Sequence, residues 1–266
     1  MKALREAAEK LLREKRVSLV IGYEDRKGRP AFFAAKPEDC GRLAYDASCR
    51  QNLAAYLGKP EIRARLPVAV VAPPAVLRSI VVLTAESQLP PGQVLALAVD
   101  GDSFLGTFDA AGVAELLRAK YSTLAPEPAL LERVQGLLQK SPAERAAFWE
   151  AEFSKCTRCY ACRAACPGCY CSRCIVEKNA PQWISTAALG HGNYTWSVMR
   201  AFHQSGRCTL CGACEAACPQ GLPLMLLNAV LDREALEEFG SRPGYDPEAK
   251  PLIGSWSADD DHSYMR

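Results

Sequence analysis

Along the first half of the chain, to about residue 120, apolar runs alternate with polar turns, and after Asp109 the apolar positions recur with helical spacing alone. Residues 2–15 read as a polar helix, VSLVIGY (17–23) and PAFFAAK (30–36) as strands, and residues 48–57 as a second helix. PVAVVAP (67–73) and VLALAVDG (94–101) are uninterrupted Val, Ala and Leu runs closed by Pro, Gly and Asp, the pattern of strands covered on both faces. Between them AVLRSIVVLTAE (75–86) has the length and spacing of a crossover helix. This predicts a βαβ unit with a parallel strand pair. Further helices are predicted over 110–120, 128–140 and 193–204 and over 222–239. Ser141-Pro142-Ala143-Glu144 supplies the N-cap and first-turn proline of another, and Gly240 stands where the last should stop. The fold class expected is α+β: a small α/β region over 1–120, a helical region over 121–240, and an extended tail over 241–266.

Composition narrows the partners. Of 266 residues 49% are hydrophobic, enough for two small cores, and 32 Lys and Arg against 30 Asp and Glu leave a net charge of +2. So small a charge predicts neither nucleic acid nor an anionic membrane surface as partner. The longest apolar stretch, Leu66 to Leu83, is broken by Pro67, Pro73, Pro74 and Arg78, and no membrane insertion is expected. The chain opens on a charged helical stretch without an apolar signal core, so its 13 cysteines are expected in a reducing cytoplasm, as metal ligands and not as disulfides.

Eight of those cysteines form two runs, Cys156-x2-Cys159-x2-Cys162-x3-Cys166-Pro167 and Cys208-x2-Cys211-x2-Cys214-x3-Cys218-Pro219. This is the spacing by which two-cluster ferredoxins hold 4Fe-4S centres. The first three thiolates of a run take one cluster and the fourth takes the other. The expected ligands are therefore Cys156, Cys159, Cys162 and Cys218 for the first cluster, and Cys208, Cys211, Cys214 and Cys166 for the second. Zinc is the competing reading of paired C-x2-C hooks, but one zinc needs only four ligands and leaves the repeated Cys-Pro ending unexplained. Lys155, Arg158, Arg163 and Arg207 flank the runs and are expected to favour the reduced state of both clusters.

Cys169, Cys171 and Cys174 follow the first run within six positions, a candidate third iron-sulfur or metal centre that Cys40, Cys49, His191 or His203 would have to complete. Cys40 and Cys49 read more simply as structural, the two histidines as hydrogen-bonded structural residues, and Trp183, Tyr194 and Trp196 as helix-packing aromatics. No G-x-G-x-x-G loop and no phosphate-cradling G-K-[ST] is present, so hydride chemistry on a nicotinamide is unsupported. No residue is assigned to catalysis.

KCTRCYACRAACPGCYCSRC, then APQWI, then RAFHQSGRCTLCGACEAACPQGLPL resembles the cluster region of beta-subunit-like proteins of formate dehydrogenases and deazaflavin-reducing hydrogenases, including those associated with heterodisulfide reductases. The second run also resembles the helical two-cluster module of the heterodisulfide reductase C subunit. In the first half, residues 66–101 look like the segment where those relatives carry a Lys-Gly-Cys-Asp turn ahead of an Arg-Ser helix start. Here Ala72-Pro73-Pro74-Ala75 replaces the turn, while Arg78-Ser79 remains. The resemblance implies a docking domain without flavin, joined to a dicluster module. It implies an electron-transfer subunit of an anaerobic multi-subunit oxidoreductase, relaying single electrons between a catalytic or flavin subunit and another redox subunit. The partners so implied are flavoprotein, heterodisulfide-reductase-like, hydrogenase or formate dehydrogenase subunits. The alternative is a flavin-dependent catalytic beta subunit of a formate dehydrogenase or deazaflavin-reducing hydrogenase, with the α/β region as its flavin site.

Overall fold

The computed structural model describes residues 1–121, 126–178 and 180–253. Six strands, β1 (Leu19–Glu24), β2 (Ala31–Ala34), β3 (Leu43–Ala44), β4 (Val68–Ala72), β5 (Val94–Asp100) and β6 (Ser103–Phe108), make one mixed sheet. The order is β2-β1-β4-β5-β6, with β3 also paired to β1. β4 runs parallel to β1 and to β5, while β2, β3 and β6 join antiparallel. All five residues of β4 are buried, as an apolar run without alternation requires. The helix α3 (Pro74–Ala85) crosses from β4 to β5, so the expected strand, helix, strand unit is present.

α1 (Lys2–Arg13) covers the sheet with Leu4, Ala8, Leu11 and Leu12, spaced to share a single stripe. A short helix, α2 (Pro60–Arg63), precedes β4, and α4 (Ala110–Tyr121) closes the sheet region. One continuous core gathers buried side chains from Leu4 to Tyr121. A second forms where α5 (Pro128–Leu138), α6 (Pro142–Ser154) and α10 (Leu224–Phe239) pack around Trp149 and Phe153, whose rings stack. α8 (Gly190–His203) lies against α6 and α10. The class is α+β, as the pattern predicts.

Three expectations change. Residues 48–57 are not a helix: only Leu53–Tyr56 make a 3-10 turn, because the Asp46 carboxylate accepts from both the Ser48 N–H and hydroxyl and holds the preceding residues in a competing turn. β6 is unanticipated, since Gly106 interrupts it and its residues are only partly buried. The two-residue Gly101-Asp102 connection, with Gly101 at φ +53°, pairs Asp100 with Ser103 and was its local signal. α8 begins at Gly190, three residues ahead of the apolar periodicity. Of the expected tail, residues 254–266 lie outside the described residues. Among those described, no helix is long and apolar enough to cross a membrane.

Candidate metal centre

The chain reaches the first cysteine run from the end of α6. That helix is fixed at its start by a reciprocal cap in which the Ser141 hydroxyl accepts from the Glu144 N–H and the Glu144 carboxylate accepts from the Ser141 N–H. From Cys156 and from Cys208 the backbone then takes the same path twice. Arg158 and Tyr160 sit at φ +56° and +61°, and their counterparts Leu210 and Gly212 at +52° and +74°. The Arg158 N–H donates to Cys156 Sγ and the Leu210 N–H to Cys208 Sγ, both at 3.4 Å. A short helix follows each loop, α7 (Ala161–Ala165) and α9 (Ala213–Ala216), and these two pack on each other.

Three non-glycine residues in the left-handed region are strained, at about 1–2 kcal/mol each. Such strain persists where the surroundings fix it, and functional sites are where it gathers. Alternating left- and right-handed residues turn successive N–H groups to one side, which suits an anionic group held by thiolates.

Two narrow crevices open beneath the loops. One is lined by Cys156, Cys159, Cys162 and Cys218, together with Arg158, Tyr160 and Trp196. The other is lined by Cys166, Cys208, Cys211 and Cys214, together with Gln204, Met225 and Asn228. Each thus draws three cysteines from one run and the fourth from the other. Among the described residues no three His, Cys, Asp or Glu side chains converge closely enough to hold a single metal ion. The donor set is all sulfur and surrounds a space, the arrangement for a cluster whose thiolates bind separate irons.

Burial raises these thiols: Cys162 to about 11, and Cys208 and Cys214 also upward. They are protonated until metal arrives, so loading must release protons. Three of the four flanking cations are paired with carboxylates. Lys155 pairs with Glu152 at 2.6 Å, Arg163 with Glu177 at 3.7 Å and Arg207 with Glu86 at 2.8 Å. Arg158 is buried, donating to Asn193 Oδ1 and to the Ser185 and Gly192 carbonyls, with its guanidinium over the Trp196 ring. The unforeseen cation is Arg200 on α8, 5% exposed, whose Nη2 donates to the Cys162 carbonyl at 3.2 Å. The helical phase of Asn193, Trp196, Ser197, Arg200 and Gln204, all buried, was the signal for it.

Gln204 joins the second crevice to the extra cysteines: Cys166 Sγ donates to its Oε1 and its Nε2 donates to Cys169 Sγ, each at 3.5 Å. The neighbouring Cys166, helped by Arg200 and Arg163, holds the Cys169 thiol below its ordinary range. Cys171 is exposed and Cys174 half-buried. Cys40 packs in the sheet core, 1% exposed, and Cys49 packs against its margin. His191 is exposed in the first turn of α8, and His203 is half-buried. Trp196 is buried and Tyr194 meets Phe153 edge to face, as packing aromatics should. Trp183 does not: it is 80% exposed in an irregular segment that offers no helix to pack in.

The second loop is bolted to the sheet region. Arg78 on α3, 9% exposed, donates to the Thr209 carbonyl at 3.2 Å and to the Pro243 carbonyl at 2.9 Å, while the hydroxyls of Ser79 and Thr209 lie 3.2 Å apart. Asn52 donates to Ser79 Oγ at 2.9 Å. Next to this contact lies a cavity of about 490 Å³ at the carboxyl ends of β1 and β4. Its wall includes Tyr23, Tyr45, Pro73, Pro74, Asp232 and Cys211.

Two thiol-lined crevices under duplicated anion-cradling loops define a protein of the iron-sulfur class. The sequence model of the 4Fe-4S binding domain family matches residues 203–222, which contain Cys208, Cys211, Cys214 and Cys218. The chain is similar to the F420-dependent formate dehydrogenase subunit beta of Methanocaldococcus jannaschii, 31% identical over 105 residues, which are 40% of this chain and 27% of the relative. It is likewise similar to the F420-dependent formate dehydrogenase 1 subunit beta of Methanococcus maripaludis, 31% identical over 106 residues, again 40% of this chain and 27% of the relative. The matched stretch therefore spans about a quarter of those curated relatives. The chain is an iron-sulfur protein that is similar, over part of its length, to formate dehydrogenase beta subunits.

Proposed function

We propose that the chain is a two-cluster electron-relay subunit of a larger, cytoplasmic oxidoreductase complex. Cys156, Cys159, Cys162 and Cys218 hold one 4Fe-4S cluster, and Cys208, Cys211, Cys214 and Cys166 the other. The observation that carries this reading is the exchange of fourth cysteines between the two crevices. Bound clusters supply one-electron carriers. The chain's own contribution is to hold them close together and to shield them: Trp196 and Leu222 wall the first crevice, Met225 and Asn228 the second. Residues 1–120 serve as a docking domain and 121–240 as the dicluster domain, a division supported by the two separate hydrophobic cores. Electrons enter and leave through partner redox subunits of the flavoprotein, hydrogenase, heterodisulfide-reductase-like or formate dehydrogenase kind.

Iron and acid-labile sulfide should each approach about eight per chain after anaerobic purification, and Cys211→Ser should remove about four of each. Stoichiometric zinc in place of iron sinks the reading. Iron near about twelve would add a centre at Cys169, Cys171 and Cys174.

One observation favours a second reading, a flavin-dependent catalytic subunit. The 490 Å³ cavity has the size of small-molecule sites, lies where α/β sheets bind ligands, and has Cys211 in its wall. Flavin bound stoichiometrically by this chain alone would replace relay with catalysis.

A further inference from the structure

Arg200 stands on α8 between residues of both crevices, Trp196 and Ser197 lining the first and Gln204 the second. A guanidinium keeps its proton throughout the pH range of proteins, so this buried charge is permanent. Its Nη2 is committed to the Cys162 carbonyl, while Nε is buried and has no hydrogen-bond partner. Among the described residues no carboxylate pairs with it, whereas Lys155, Arg163 and Arg207 each have one. A buried, unpaired cation is among the most unfavourable things a fold can contain, and it is tolerated where a negative charge completes it. Each crevice becomes anionic when its thiols release protons to metal, and each one-electron reduction adds a further negative charge. Arg158 is also buried, but it lies in the wall of the first crevice, whereas Arg200 lines neither crevice and stands between them on α8.

We propose that Arg200 is the shared electrostatic tuning residue of the dicluster unit. Its charge lies between the two centres, its Nε–H is satisfied by thiolate or sulfide once they are bound, and it raises the reduction potential of both together. One side chain on α8 thereby shifts both steps of the relay in the same direction. The proposal rests on the two-cluster reading.

The test uses the full chain, anaerobically loaded, with each cluster's midpoint followed by EPR-monitored redox titration. Arg200→Gln should keep iron and sulfide at about eight per chain and shift both midpoints to lower potential. Arg200→Lys, which keeps the charge and loses the planar fork, should stay close to the parent at both. Unchanged midpoints in Arg200→Gln with full iron, or a shift at one cluster alone, overturns the shared role. Should Arg200→Gln lose its clusters, retention in Arg200→Lys supports a requirement for charge, and equal loss in both variants shows that the guanidinium only packs. Iron well below about eight in the parent sinks the two-cluster reading itself, independently of either variant.

Discussion

Tyr160 is a poor residue for φ +61°, and Arg158 and Leu210 are no better suited to the left-handed region. Only Gly212 announced that backbone in the sequence. The other three take it because the loop must turn its N–H groups toward one space, so the cysteine spacing was legible where the local propensities were not. Arg200 was hidden for a related reason: a charged residue reads as surface until the phase of its helix is followed to Asn193 and Trp196. Cys40, read as structural, is buried in the sheet core, and burial raises its thiol from 9.0 to about 11. The sign follows: the unfolded thiol ionises above 9.0 while the folded one keeps its proton, so the chain loses stability as pH climbs from about 9 to about 11. The full effect is at most about 2–3 kcal/mol. Urea titrations across that range should show a weaker pH dependence in Cys40→Ala than in the parent.

Among the elements, α3 does most to connect sheet and cysteines. Its apolar run identified it as the crossover helix, and the same run carries Arg78 and Ser79, whose outward task no periodicity could reveal because their partners, Thr209 and Pro243, are more than a hundred residues away. Arg78→Ala leaves those two carbonyls buried and unpaired. A loss of about 2–4 kcal/mol is expected in urea unfolding, with iron lost from the second run before the first. A fall in stability with no change in iron content would mean that the contact holds the tail alone. β6 and the failed helix at 48–57 show the opposite limit. In both, a local turn, at Gly101-Asp102 and at Asp46, decided the outcome against the apolar pattern around it.

At the scale of the molecule, the two cores differ in what supports them. The buried side chains of the sheet core all lie within residues 4–121, with Tyr170 and Tyr245 packed against them, whereas the helical core contains Cys214 and borders Cys156, Cys162 and Cys218. Removing iron by chelation should therefore loosen the cysteine half and spare the sheet. Limited proteolysis after chelation is expected to degrade the cysteine half and leave a resistant N-terminal fragment of roughly 120 residues, a size set by the sheet core. Equal resistance before and after chelation would show that metal contributes nothing to that half's order. The cores could be foreseen from the change of pattern near Asp109; their joint could not, since Arg78 and Ser79 find their partners more than a hundred residues away. That joint also bears on how the gene can be handled. Pro243 lends its carbonyl to Arg78, and a methyl group on neighbouring Gly244 would come within 2.8 Å of the Arg78 carbonyl oxygen. A shortened version ending at Gly240 should express as a protein that binds iron poorly, whereas a purification tag fused behind residue 253 leaves this fastening whole.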